Sequence, residues 1–105
     1  MRQQKRRPEK HDDLLTRIRE HVKEGKYLDT RHAFERKKER KIMLPEILYV
    51  LCHGRHERQK DVFKEDYRAW NYAIRGKTID GRELRICITF DIHGMLVITA
   101  IDLDL

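Results

Sequence analysis

The sequence predicts an α+β domain in which N-terminal helices pack on one face of a three- to four-stranded antiparallel sheet. Before Gly54 the apolar residues recur at helical spacing, whereas after it they alternate with a period of two, as in half-buried strands. The turn dipeptides Asp80-Gly81 and His93-Gly94 separate the alternating segments. A helical half followed by a meander of strands is typical of the α+β class.

The 105-residue chain is expected to form one domain over residues 9–105, preceded by a disordered basic arm over residues 1–8. Residues 1–60 carry 18 Lys and Arg against 10 Asp and Glu, whereas residues 61–105 carry 6 against 8. This uneven distribution suggests one positive face and therefore an anionic partner such as nucleic acid. The alternative is that these cations are solvated side chains that keep the protein soluble.

Three helices are predicted in the basic half. The first covers residues 9–24 and ends at Gly25, a residue that favours a left-handed cap. The second covers residues 30–41. The third begins near Pro45 and ends at Gly54, and because it is apolar on most sides we expect it to be the core helix. The apolar stripe of the first helix consists of Leu14, Leu15, Ile18 and Val22.

The second half predicts three strands and a weaker fourth. Residues 69–79 and 84–90 alternate, whereas residues 95–103 are apolar on both faces, which predicts a central or covered strand. Residues 55–64 could form a polar edge strand. The open sheet face could carry Asn71, Arg75, Arg85 and Thr89, in a register that depends on whether Gly76 forms a bulge.

One face of the helix over residues 30–41 suggests contact with phosphate. His32, Arg36 and Arg40 recur every fourth residue, so their side chains project from the same face. This spacing places a group that titrates near neutral pH beside two permanent cations, and His32 could act as a general acid or base. The alternative is a solvated helix face with His32 partly packed against the sheet.

The hairpin around residues 80–81 carries a second basic set, which comprises Tyr72, Arg75, Lys77, Arg82 and Arg85. Aromatic and basic side chains interleaved on strands can stack a base and hold its phosphate. The alternative is structural, with Tyr72 packed as a core aromatic. In that case cross-strand pairs would join Arg75 or Arg85 to Glu83 or Asp80.

Neither a metal nor a cofactor is predicted. Cys52, His53 and His56 lack the paired spacing of a structural zinc site. Cys52 and Cys87 lie in apolar runs and are expected to be small buried residues of a reduced, cytoplasmic protein. The sequence contains no secretory signal and no apolar stretch long enough to span a bilayer, so a membrane is not an expected partner.

The motifs of residues 27–103 resemble a widespread family of small bacterial proteins that is classed as a domain of unknown function. The most specific motif is His-Ala-x-Glu-Arg-x-x-Glu-Arg over residues 32–40. It is followed by Pro-Glu-Ile-x-x-Val-Leu-x-x-Gly over residues 45–54 and Trp-x-Tyr-x-Ile-x-Gly-Lys-Thr-x-Asp-Gly-Arg-x-Leu over residues 70–84. The layout of this family is similar to that of the RelE-like and MqsR-like toxins of toxin–antitoxin pairs.

The resemblance to these toxins implies a metal-independent endoribonuclease that cuts mRNA, free or on the ribosome, and that a partner antitoxin neutralises. In MqsR-like systems the antitoxin carries a zinc finger and a helix-turn-helix. The RNA 2′-hydroxyl would attack the adjacent phosphate and leave a 2′,3′-cyclic phosphate. The implied catalytic residues are His32, Arg36, Arg40 and Tyr72. The implied RNA-binding residues are Lys37, Arg75, Lys77, Arg82 and Arg85.

Two other functions stay open at this point. One is a non-catalytic toxin of the same fold that inhibits a protein target, as ParE-like relatives inhibit gyrase. The other is a plain nucleic-acid-binding module. The helix over residues 9–24 lies outside the shared pattern, and we expect it to cover part of the sheet or to form a homodimer contact.

Overall fold

The computed structural model describes residues 6–31 and 42–104. The helices in these ranges are α1 (Leu14–Glu24) and α2 (Leu44–His53), and a short 3-10 turn covers Arg58–Lys60. The strands are β1 (Tyr27–Asp29), β2 (Arg55–His56), β3 (Val62–Lys64), β4 (Ala69–Lys77), β5 (Glu83–Asp91) and β6 (Gly94–Asp102). The predicted α+β class is therefore confirmed.

The sheet is mixed and has six strands, in the order β1-β6-β5-β4-β2, with β3 also paired to β4. The predicted antiparallel meander forms its centre as β4, β5 and β6. The prediction of three to four antiparallel strands is met only in part, because the sheet has six strands and the three-residue β1 adds a parallel pair beside β6. The predicted edge strand over residues 55–64 is two short strands separated by the 3-10 turn. Strands this short contain too few residues to show a period of two.

The core lies between the two helices and the sheet face that they cover. Leu14 and Ile18 of α1 are buried there, although α1 begins later than the predicted residue 9. Gly25 ends α1 with φ 70°, which confirms the predicted left-handed cap. The strand that was predicted to be central, β6, lies between β1 and β5. The core residues of α2 and the sheet include Ile47, Val50, Leu51, Ile74, Leu84, Ile86, Ile88, Met95 and Val97.

Two glycines allow α2 to approach β4 closely. A Cβ atom on Gly76 would lie 2.9 Å from Cα of Gly54, and one on Gly54 would lie 2.6 Å from the carbonyl oxygens of Arg75 and Val50. Gly76 stands opposite Leu84 in an uninterrupted register, so it forms no bulge. Arg75 is consequently placed directly opposite Arg85 of β5.

Some predicted features lie outside the described residues. They include residues 1–5 of the predicted arm and residues 32–41, with His32, Arg36, Lys37 and Arg40. At the border of the second gap, the Arg31 guanidinium pairs with Asp29 at 2.8 Å and donates to the Ile42 carbonyl at 3.0 Å. The Thr30 hydroxyl donates to the Val97 carbonyl at 2.6 Å. Within residues 6–31 and 42–104, no helix is long and apolar enough to cross a membrane.

Candidate functional site

Two arginines of the predicted basic set share one buried carboxylate. They lie on the sheet face turned away from α1 and α2, which we call the outer face. Glu57, only 7% exposed, accepts from Arg85 Nε at 2.6 Å and from Arg75 Nη1 at 3.4 Å. The hydrogen bond from Arg85 is the main reason that the pKa of Glu57 is lowered. Arg75 Nε also donates to Glu83 Oε1 at 2.9 Å, so the cross-strand pairing considered as the alternative is present.

The remaining basic residues of the hairpin lie apart from this pair. Arg82 Nη1 is 3.5 Å from Glu46 and its Nε is 3.4 Å from Asp102. It lines an open cleft of about 330 Å³ between the start of α2 and the β4–β5 turn. Lys77 is exposed at the end of β4. The three arginines are therefore already matched by carboxylates, which reduces the charge that they offer to an anion.

Tyr72 faces the opposite side of β4. It is 3% exposed, and its hydroxyl oxygen accepts a hydrogen bond from the His11 backbone N–H at 3.1 Å. Burial raises the pKa of Tyr72, so the phenol keeps its proton at neutral pH. Because strand residues three apart point to opposite faces, the structure separates Tyr72 from Arg75. The predicted aromatic and basic residues of the hairpin do not form one site.

Three histidines surround Tyr72 and Phe90 instead. The ring centroids of His56 and His11 lie 5.8 and 6.0 Å from that of Tyr72. His11 and His21 lie 5.6 and 5.0 Å from the ring of Phe90. The three imidazoles come from the segment before α1, from α1 itself and from β2. We call these five residues the histidine cluster.

A buried acid orients His56. Its Nε2 lies 2.7 Å from Oδ2 of Asp61, whose side chain is 0% exposed. The same Asp61 oxygen is 2.9 Å from Lys10 Nζ, and the other accepts the Ala73 backbone N–H at 2.9 Å. An ionised carboxylate only accepts hydrogen bonds, so His56 carries a hydrogen on Nε2. A fixed tautomer of this kind suits general acid–base chemistry.

The other two imidazoles have defined states as well. Burial, and next the charge of Arg17, lower the pKa of His11, so its ring is neutral at neutral pH. His21 Nδ1 lies 2.7 Å from the Arg17 carbonyl oxygen, which only accepts hydrogen bonds, so Nδ1 carries a hydrogen. Arg17 Nε is buried and has no hydrogen-bond partner. The cluster thus combines a neutral imidazole, a carboxylate-bound imidazole and a nearby guanidinium.

The cluster is not visible in the sequence, because tertiary contacts bring its distant residues together. His56 was weighed as a zinc ligand, and His11 and Asp61 belong to no local motif. A signal was available in the hairpin around residues 80–81, since its register places Tyr72 and Phe90 on the same sheet face.

The two cysteines and the possible metal ligands were considered separately in the sequence. Cys52 and Cys87 are half-buried free thiols, so the expectation that both are buried was wrong. In the described part of the chain, no three His, Cys, Asp or Glu side chains are arranged to hold a metal ion. Burial raises the pKa of Cys52, which keeps that thiol protonated.

A protein-family model described as a domain of unknown function, DUF4258, matches residues 30–102. Comparison with curated proteins and with solved structures gave no match. The matched range contains His56, Asp61 and Tyr72, whereas His11 and His21 precede it. Since the match covers more than half of the sequence, the chain belongs to the DUF4258 family.

Proposed function

We propose that this protein is a toxin-like, metal-independent endoribonuclease with the histidine cluster at its active site. The observation that carries the proposal is the buried Asp61–His56 pair beside Tyr72 and the neutral His11. RNA supplies its own nucleophile, the 2′-hydroxyl, so cleavage requires a base, an acid and positive charge near the phosphate. The cluster provides the base and the acid. The positive charge is assigned to Arg36 and Arg40, because Lys10 and Arg17 are already paired with Asp61 and Asp13.

The two imidazoles receive different roles from their surroundings. Neutral His11 accepts the proton of the 2′-hydroxyl as that oxygen attacks the adjacent phosphorus. His56, whose protonated ring would face the Asp61 carboxylate, gives a proton to the leaving 5′-oxygen. The products are a 2′,3′-cyclic phosphate and a free 5′-hydroxyl. Tyr72 acts as a positioning residue, because its hydroxyl holds the backbone of His11.

The residues outside the described ranges keep their proposed role. His32, Arg36 and Arg40 remain candidate catalytic and phosphate-binding residues, with Lys37 beside them. On the hairpin, the exposed Lys77 is the basic residue best placed to bind RNA, since the arginines are paired with acids. In this proposal the histidine cluster cleaves the RNA, and the surrounding lysines and arginines bind its phosphate backbone.

The RelE-like resemblance is part of this proposal. A central antiparallel meander with helices on one face is compatible with that fold, although a fold by itself does not determine function. The resemblance also suggests a partner antitoxin, of the zinc-finger and helix-turn-helix type found in MqsR-like systems. Messenger RNA, free or on the ribosome, is the proposed substrate.

Cleavage of labelled single-stranded RNA in EDTA tests the proposal. Wild type, His56→Asn, His11→Asn and His32→Ala are compared, with His93→Ala as a matched control because His93 is exposed in the β5–β6 turn. We expect cyclic-phosphate ends from wild type and His93→Ala, and at least about 100-fold slower cleavage by His56→Asn and His11→Asn. Loss only in His32→Ala would move the active site to residues 32–41.

The same assay with translating ribosomes separates the alternatives. If wild type cuts no RNA under either condition, the endoribonuclease proposal is wrong. RNA that is shifted on a gel but remains uncut would then indicate a nucleic-acid-binding module. Absence of both cleavage and binding would favour a toxin that inhibits a protein target.

A further inference from the structure

We infer that the β3–β4 hairpin carries a binding site for a basic peptide, and that residues 6–10 of this chain occupy it as an exchangeable ligand. We call these residues the N-terminal segment. The site is formed by Asp61, Phe63, Glu65, Arg68 and Trp70. The inference is independent of RNA cleavage, since it rests on contacts between this segment and the hairpin.

Two donors of the site bind the backbone of the N-terminal segment. Trp70 Nε1 donates to the Pro8 carbonyl at 2.8 Å, and Arg68 Nη2 donates to the Arg6 carbonyl at 2.8 Å. These carbonyls belong to residues two positions apart, so the two hydrogen bonds hold the main chain of the segment at two points. Main-chain hydrogen bonds of this kind fix the direction and register of a peptide whatever its side chains are.

An aromatic ring and a carboxylate meet each of two cations in the segment. Arg7 Cζ lies 4.9 Å from the centroid of Phe63, and an Arg7 nitrogen lies 3.7 Å from Glu65. Lys10 Nζ lies 4.5 Å from the centroid of Trp70 and 2.9 Å from Asp61. Cations are attracted both to aromatic faces and to acids. The site therefore selects two basic residues three positions apart.

The position of the family match supports exchange. The site lies within the matched residues 30–102, whereas the N-terminal segment precedes them. No strand ladder joins the segment to the sheet in the described residues, so side-chain contacts and two hydrogen bonds hold it. Because the segment is part of the same chain, its effective concentration at the site is of millimolar order, which favours it over a free peptide. A free peptide of the same chemistry competes once that advantage is reduced.

Exchange would also alter the histidine cluster. Lys10 contacts the acid that holds His56, and His11 follows it directly and is bound to Tyr72. A competing basic peptide that displaces the segment therefore draws His11 away from the cluster. Occupancy of the hairpin site and the position of His11 in the histidine cluster are therefore coupled, because Lys10 and His11 are adjacent in the chain.

Fluorescence of the chain's single tryptophan measures the exchange directly. The probe is an acetylated and amidated synthetic peptide of residues 6–12, titrated onto full-length wild type and the double variant Arg7→Ala/Lys10→Ala. The control peptide has alanine at the two basic positions corresponding to Arg7 and Lys10. We expect saturable binding of the probe by the double variant, roughly tenfold tighter than by wild type. The control peptide should not bind.

A second variant guards against loss of folding. Arg7→Ala alone removes a side chain that is 57% exposed and should leave the fold intact by circular dichroism. It should bind the probe several-fold more tightly than wild type. Equal binding of probe and control peptides, or no binding by a folded variant, would overturn the inference.

Discussion

The two faces of β4 present different electrostatic environments. On the outer face, Arg75 and Arg85 share Glu57, so their charges are matched. On the covered face, Tyr72 lies among imidazoles that have a proton to give or a lone pair to accept one. A high density of basic residues therefore does not by itself identify a reactive site. The pairing of those residues decides which groups remain available.

The largest expected effect on the free energy of unfolding comes from core packing, which differs between the two faces of the sheet. Ile86 is 0% exposed on the covered face, whereas Ile101 is 43% exposed. Ile86→Ala should lower the free energy of unfolding by about 3 kcal/mol, because it leaves a cavity in a close-packed core. Ile101→Ala should lower it by less than about 1 kcal/mol. Urea unfolding of both variants measures the difference, and equal losses would contradict the assignment of the covered face.

The next effect concerns the acid that supports the histidine cluster. Asp61→Asn keeps the size of a fully buried side chain but removes the charge that faces Lys10 and His56. We expect the free energy of unfolding to fall by about 2 kcal/mol. Chemical denaturation provides the value, and Asp91→Asn is a matched control at the exposed end of β5. A loss no larger than the control would show that Asp61 does not hold the cluster.

A smaller effect is expected at Tyr72. Tyr72→Phe keeps the buried ring but removes the oxygen that accepts the His11 backbone N–H. The free energy of unfolding should fall by about 1 kcal/mol. Tyr49→Phe changes a half-buried tyrosine of α2 and serves as the comparison. Hydrogen exchange of the His11 amide should accelerate only in Tyr72→Phe, and unchanged protection would exclude this bond.

The two faces should also respond to acid in different pH windows. The folded-state pKa of Glu57 is lowered from 4.5, so its stabilising contribution is present above that value. The contribution is lost as the pH falls through the lower folded-state pKa. We therefore expect Glu57→Gln to flatten the decline in urea midpoint below about pH 4.5. A decline in the urea midpoint of Glu57→Gln as steep as that of wild type would contradict the pairing of Glu57 with the arginines.

His11 affects stability at higher pH than Glu57 does. Its folded-state pKa is lowered from 6.5, so the unfolded chain binds the proton first as the pH falls below that value. Stability should decline from pH 6.5 toward the folded-state pKa and then level off with respect to this group. His11→Gln should remove this decline in the urea midpoint. NMR titration of the His11 ring measures the pKa itself, and a value above 6.5 would reverse the predicted sign.

The fold was predictable where local patterns are long. The central position of β6 followed from a run that is apolar on both faces, and Gly25 ended α1 as predicted. The parallel β1 was not predictable, because three residues carry no period and their pairing depends on contacts 68 positions away, as between Tyr27 and Met95.

The candidate site was less predictable than the fold. The sequence offered two interpretations of Arg75, and only the strand register decided in favour of pairing with Glu83. His11 and Asp61 carry no local motif, and they become neighbours of Tyr72 only when the segment before α1 packs on the hairpin. The sequence shows which residues are charged, but only the tertiary structure shows which of them are paired with an opposite charge.

RNA cleavage by variants of the two faces distinguishes the histidine cluster from the outer face as the site of the chemistry. Labelled single-stranded RNA is incubated in EDTA, with and without translating ribosomes, with wild type, His56→Asn and Arg75→Ala, and the fragment ends are mapped. We predict cyclic-phosphate ends from wild type and Arg75→Ala at similar rates, and at least about 100-fold less from folded His56→Asn. Cleavage that survives in His56→Asn but is lost in Arg75→Ala would place the chemistry on the outer face and contradict the account.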